Sequence, residues 1–168
     1  MHLEQVQRLN SIIMSITEIS EIFNFNSPTR IFITCFHTAS FILEQRKAFP
    51  IDIVINTSNV PHDRKTVDSW ANEGIDSHYF FIYDHKDEDI ICCAEKVYQI
   101  IERAGERNVL IHCHAGISRS VSCVIYYLIK KHKMTFEQAL ELVQASREVA
   151  DPNEGFEDQL QTFADQCK

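Results

Sequence analysis

The chain has 168 residues, 45% of them hydrophobic, which suits one domain with a proper buried core. Its 24 acidic against 16 basic side chains, a formal charge of −8, argue against a general nucleic-acid or anionic-membrane binder, but not against an anionic substrate held in a local cradle. The longest apolar runs are too short to span a membrane, and Met1-His2-Leu3-Glu4-Gln5 lacks the pattern of a signal peptide, so a soluble intracellular location, cytoplasmic or nuclear, is expected.

From about Leu3 to Phe23, residues Val6, Leu9, Ile13, Ile16 and Ile19 recur at helical spacing. They predict a helical extension over residues 1–23, ending before Ser20 in the narrower reading. Packing on its own domain is the favoured role of this helix, and a homodimer contact is the alternative. Asn24-Phe25-Asn26-Ser27-Pro28 is a turn. Ile31 to Thr34 reads as a strand, and Thr38 as the cap of a helix from Ala39 to about Lys47, stopped by Phe49-Pro50. Ile53 to Asn56 is a buried strand. Thr57 to Gly74 is polar and reads as a loop with a short helix around Val67 to Asn72. Its only tryptophan, Trp70, is a packing anchor. His78 to Tyr83 is a further strand that runs into the acidic turn Asp84-His85-Lys86-Asp87-Glu88-Asp89.

Ile90 to Arg103 has helical spacing, with Gly105 at its end. Cys92 and Cys93 lie in it; as neighbours they point in different directions, so they make a poor metal pair and are assigned to packing. Val109-Leu110-Ile111 is a short β-branched strand, and Val121 to about His132 a buried helix that contains Cys123. Thr135-Phe136-Glu137-Gln138 is a capping box for a helix through about Ser146. Asp151 to Phe156 turns into a last helix, Phe156 to about Gln166. Strands alternating with helices imply an α/β fold in which helices cover a central sheet. The six cysteines form no CxxC pair, so reduced thiols are expected.

The stretch His112-Cys113-His114-Ala115-Gly116-Ile117-Ser118-Arg119-Ser120 joins a strand to a helix. Backbone N–H groups there face the positive end of a helix dipole, a ready anion site. A thiol beside a helix N-terminus loses its proton more easily. An arginine closing the same ring presents a planar fork that matches two phosphate oxygens. One nucleophile, one clamp and a cradle of donors suggest phosphoryl transfer to sulfur. A buried structural cysteine beside a surface arginine is the bland alternative. Three consecutive residues, His112, Cys113 and His114, cannot easily converge on one ion, and no second ligand pair has zinc-like spacing, so no metal or other cofactor is expected.

His-Cys-x5-Arg-Ser resembles the signature of the cysteine-dependent protein phosphatases, and the filling Ala-Gly-Ile-Ser resembles the dual-specificity branch. The order of Ile31-Phe32-Ile33, Ala39-Ser40 and Ile53-Val54-Ile55-Asn56 resembles the opening of that family, and Pro152-Asn153-Glu154-Gly155-Phe156 its Pro-Asn-x-Gly-Phe element. The resemblance implies a single domain over 1–168, with a mostly parallel twisted sheet flanked by helices. It also implies a metal-independent hydrolysis of phosphotyrosine and phosphoserine or phosphothreonine through a phosphocysteine. The partners it implies are phosphoproteins, not nucleic acid or membrane.

In that reading Cys113 is the nucleophile. The main chain of His114, Ala115, Gly116, Ile117 and Ser118 binds the phosphoryl oxygens together with Arg119. His112 supports the loop, Ser120 donates to the sulfur, and Asn153 supports the loop from the last turn. An expelled alkoxide needs a proton, and a carboxylic acid facing the cradle is the expected donor. Asp84 is chosen, since it follows the strand and Ile90 stands six residues on, as in the family; Phe81 departs from the proline often found there. Asp87 and Asp89 are the alternatives. His62, Arg64 and Lys65 are candidates to touch groups around the phosphosite, with a solvated loop the favoured reading. Two other functions stay open: a phosphatase of RNA 5′ ends or phosphoinositides, and a phosphoprotein-binding module with little turnover.

Overall fold

A computed structural model describes residues 18–22 and 27–167. Five strands form one sheet: β1 (Ser20–Ile22), β2 (Ile31–Cys35), β3 (Ile53–Asn56), β4 (Asp76–Tyr79) and β5 (Val109–Cys113). Their spatial order is β1-β2-β5-β3-β4, antiparallel between β1 and β2 and parallel elsewhere. The helices are α1 (Phe36–Ser40), α2 (Arg64–Asn72), α3 (Ile90–Ala104), α4 (Arg119–His132), α5 (Phe136–Ser146) and α6 (Glu154–Gln166), with a 3-10 turn at Ile42–Gln45.

The central strands are apolar on both faces because both faces are covered. On one face Ile31, Ile33, Ile55 and Ile111 pack into the larger core beneath α3 to α6. On the other, Phe32, Val54 and Leu110 meet Trp70, Ala39 and Ile42 in a smaller core. Trp70 is therefore the packing anchor that was expected. Helix α4 is buried at every position from Arg119 to Ile129, which explains why Val121 to Ile129 is apolar apart from Ser122. The parallel strands β2, β5 and β3 all end on the same edge, and the β5–α4 loop opens there, where an open α/β sheet holds its ligands.

Caps set the helix starts. Asp63 accepts from the Thr66 N–H at 2.9 Å to start α2, and Asp89 accepts from the Cys92 N–H at 2.8 Å to start α3. Thr135 and Gln138 exchange the two bonds of the capping box at 3.2 and 3.0 Å. Each such cap is worth about 1 kcal/mol.

Four readings need correction. Ser20–Ile22 is a strand, not the end of a helical extension: Ser20 and Ile22 are buried, Glu21 is exposed, and the segment pairs with the free edge of β2. The rest of the predicted helix and its dimer contact lie outside the described residues. Thr38 does not cap a long helix. The Cys35 sulfur accepts from the Thr38 N–H at 3.5 Å, and the helix stops after Ser40, followed by the 3-10 turn. Strand β4 ends at Tyr79, not Tyr83. Its neighbour β3 ends at Asn56, whose carbonyl takes the Phe80 N–H at 2.8 Å and leaves no rung for Phe81 to Tyr83. Cys92 is exposed rather than packed, while Cys93 is buried as expected. Among the described residues, no helix is long and apolar enough to cross a membrane.

Candidate active site

The β5–α4 loop turns its carbonyls outward. The Cys113 carbonyl lies 3.2 Å from His112 Nδ1, and that of His114 accepts from the Phe36 N–H at 3.0 Å. The Ala115 and Gly116 carbonyls accept from Arg147, at 3.3 Å from Nη2 and 2.6 Å from Nε. The Ile117 carbonyl accepts from the Asp151 N–H at 3.0 Å, and the Ser118 carbonyl from the Ser122 N–H at 2.8 Å. In a trans peptide the C=O and N–H point in opposite directions. Six carbonyls tied outward therefore leave the N–H groups of residues 114 to 119 facing inward. Gly116 makes the turn with φ +69°, and a Cβ there would lie 2.5 Å from the Thr34 carbonyl oxygen.

Cys113 sits at the end of β5, 1% exposed. Its sulfur accepts from the Gly116 N–H at 3.2 Å and the Ser120 hydroxyl at 3.4 Å. The Arg119 side chain is buried as well. Its Nη1 donates to Asn59 Oδ1 at 3.0 Å and to the Ile82 carbonyl at 3.2 Å. Among the described residues its Nε has no hydrogen-bond partner, and it lies 3.5 Å from Asp84 Oδ2. A buried donor without an acceptor costs about 1–3 kcal/mol, and the ion pair with Asp84 offsets that cost.

Asp84 comes next to the loop, although it stands five residues beyond the end of β4. Its Oδ1 accepts from the Ser118 hydroxyl at 2.7 Å and the Asn153 amide at 2.8 Å. The alternatives are occupied elsewhere. Asp89 caps α3, and Asp87 lies exposed beside His85 at 3.6 Å. Asn153 reaches the site in two ways, since its backbone N–H also donates to Ser118 Oγ at 3.2 Å. Its side-chain Oδ1 accepts from the Phe156 N–H at 3.1 Å and so caps α6.

The polar loop after β3 separates its candidates. Arg64 pairs with Asp68 at 3.5 Å on the exposed face of α2, and Lys65 is exposed on the same helix. His62 turns inward, and its Nε2 lies 3.0 Å from His112 Nε2. Burial pushes the His62 imidazole down to about 4 and His112 to about 3, so both are neutral at pH 7. His114 is exposed and His112 fully buried, so these two do not converge. Cys123 has Cys93 as its sulfur neighbour; the hydrogen bond with Cys93 and burial push the Cys123 thiol up.

Three contributors were not visible in the sequence. Arg147, 2% exposed, ties two loop carbonyls to the Glu18 carbonyl and the Ser20 hydroxyl of the β1 segment. Asn59 orients Arg119, and the Ser118 hydroxyl, expected only as a main-chain donor, holds Asp84. A lone arginine after an amphipathic helix gives no sign that it folds back under a loop about thirty positions earlier.

A family model described as "Dual specificity phosphatase, catalytic domain" matches residues 31–166. Dual specificity protein phosphatase MPK-4 of Drosophila melanogaster is 35% identical over 128 residues, 75% of this chain and 32% of that protein. Dual specificity protein phosphatase 1B of Arabidopsis thaliana is 43% identical over 84 residues, 49% of this chain and 50% of the relative. The chain thus spans half or less of the length of these relatives. Among solved structures, the Yvh1 phosphatase domain of Chaetomium thermophilum shares the fold, with TM-score 0.74 and 23% identity, covering 89% of this chain and 96% of that one. DUSP15 aligns with TM-score 0.70 and 26% identity, over 80% and 82% of the two chains. Together with the loop geometry, the match over residues 31–166 shows that this chain belongs to the dual-specificity phosphatase catalytic-domain family.

Proposed function

We propose that this protein hydrolyses phosphotyrosine and phosphoserine or phosphothreonine in proteins through a phosphocysteine intermediate. The observation that carries the reading is the ring of N–H groups around the Cys113 sulfur, left inward by six outward carbonyls, with the buried Arg119 guanidinium at the end of the same loop facing Asp84. Such preorganised donors stabilise charge without reorganisation, and removing one donor of this kind costs about 10²–10³ in rate.

The Cys113 thiolate attacks phosphorus, and the P–O ester bond breaks. Arg119 and the loop N–H groups hold the phosphoryl oxygens. Asp84 protonates the leaving oxygen from Oδ2, because Oδ1 already accepts from Ser118 and Asn153. Asp84, now a carboxylate, takes a proton from the water that attacks the phosphocysteine. The P–S bond breaks, inorganic phosphate leaves, and the Ser120 hydroxyl, 3.4 Å from the sulfur, stabilises the departing thiolate. The loop filling Ala115 to Ser118 contains no lysine, which favours protein substrates over phosphoinositides.

The test is hydrolysis of an aryl phosphate in the presence of EDTA, followed by phosphotyrosine and phosphothreonine peptides. Turnover by the natural chain and none by Cys113→Ser, which still binds phosphopeptide, is the expected result. Turnover retained by Cys113→Ser, or abolished by the chelator, overturns the mechanism.

A further inference from the structure

Buried His112 and half-buried His62 form a pair that the reaction above does not use. The hydrogen-bond geometry fixes where their protons sit. A carbonyl oxygen only accepts, so His112 Nδ1, 3.2 Å from the Cys113 carbonyl, carries a proton. A neutral imidazole then leaves His112 Nε2 as a bare acceptor. The atom facing it at 3.0 Å, His62 Nε2, must supply the hydrogen. The second His62 nitrogen, Nδ1, is then the acceptor, and it lies 3.4 Å from Ser40 Oγ, whose hydroxyl hydrogen is within reach of both this nitrogen and the Phe36 carbonyl at 2.9 Å.

The His62 ring is held in that orientation. It stacks on Phe36 with centroids 4.1 Å apart and planes 10° apart, and it meets the edge of Trp70 at 4.7 Å. Asp63 is the charged neighbour that acts on His62, and His62 is the one that acts on His112. Asp63 is itself engaged by Thr66 at the start of α2. A proton added to His112 would set two N–H groups head to head.

We propose that His62 is a positioning residue for the nucleophile: its Nε2–H fixes the tautomer of His112, whose Nδ1–H in turn holds the Cys113 carbonyl out of the cradle. The peptide that carries this carbonyl also carries the His114 N–H, which its plane aims toward the sulfur side. Without the His62 donor, His112 Nε2 is a buried unsatisfied acceptor, and the ring relaxes by changing tautomer or rotating. The carbonyl is then released, and the first N–H of the cradle is no longer fixed. The inference rests on Cys113 being the nucleophile.

The experiment compares His62→Phe, which keeps the stacked ring but removes the donor, with His62→Gln, which restores an N–H. In His62→Phe, iodoacetamide alkylation of Cys113 at pH 6 slows about tenfold and approaches the natural rate at pH 9, as expected when a group that favours the thiolate is disturbed. kcat falls about tenfold with KM for an aryl phosphate within about twofold, and His62→Gln recovers most of both losses. Alkylation at the natural rate in His62→Phe overturns the proposal. Long-range ¹H–¹⁵N spectra of the unsubstituted protein give a second reading that needs no variant to fold. The expected pattern is His112 protonated on Nδ1 and His62 on Nε2, and His112 protonated on Nε2 also overturns the proposal. Neither the alkylation rate nor the spectra require turnover. If Cys113 of the natural chain alkylates no faster than free cysteine, the phosphatase reading fails instead.

Discussion

The Asn153 amide donates to Asp84 Oδ1 at 2.8 Å while the same side chain's oxygen caps α6 at 3.1 Å. One residue thus starts the last helix and holds the proposed acid, two elements far apart in the chain. This coupling separates stability from chemistry. Asn153→Asp keeps an acceptor for the cap but sets a second carboxylate against Asp84. We expect its melting temperature to stay near that of the natural chain while kcat falls roughly tenfold or more. Asn153→Ala should also lose about 1 kcal/mol of stability. Thermal unfolding with parallel turnover assays checks both, and equal stability losses in the two variants would count against the separation.

Gly155 follows in the same turn. A Cβ at this position would collide with the main chain of Lys86, two residues past Asp84. The backbone must give way, so Gly155→Ala should displace the acid loop. We expect a loss of about 1–3 kcal/mol. Turnover should fall more for alkyl phosphates, which need a proton on the leaving oxygen, than for aryl phosphates with good leaving groups. An equal loss on both would place the damage elsewhere than at Asp84.

Arg147 should behave as a structural brace of the loop. Arg147→Met keeps the length of the side chain but leaves the Ala115 and Gly116 carbonyls without their donor. About 2–5 kcal/mol of stability should be lost, read by denaturant unfolding. Because the Gly116 carbonyl then loosens, turnover of the folded fraction should fall too. A variant with natural kcat per folded molecule would show that the loop stands without this brace.

Buried His112 and half-buried His62 set an acid limit on stability. Burial lowers His62 to about 4 and His112 to about 3 from 6.5. Below pH 6.5 the unfolded chain therefore binds protons that the folded chain refuses, and stability falls as pH drops from about 6.5 toward 4. Above pH 6.5 both states hold these rings neutral and the contribution is constant. The limiting slope is about 1.4 kcal/mol per pH unit for each histidine kept neutral. Unfolding free energies measured between pH 8 and 4.5 should show a plateau followed by a decline, and His62→Phe should make the decline shallower. A decline of unchanged slope in that variant would sink the assignment.

Much of this architecture was written locally. The β-branched runs at Ile31, Ile53 and Val109, the capping box at Thr135 and the Cys113-x5-Arg119 loop announce strands, a helix start and an anion cradle, because each depends on neighbours within a few residues. Tertiary pairing decided what depended on distant partners. The Ser20–Ile22 segment is a strand because β2 had a free edge, and β4 stops at Tyr79 because β3 stops at Asn56. His62 faces His112 rather than the phosphosite because Phe36 and Trp70 close on its ring. The outward carbonyls, Arg147 beneath them and Asn153 on Asp84 join residues tens of positions apart. Spacing along a chain records local periodicity, whereas a hydrogen bond across the fold exists only once packing has brought its two ends together.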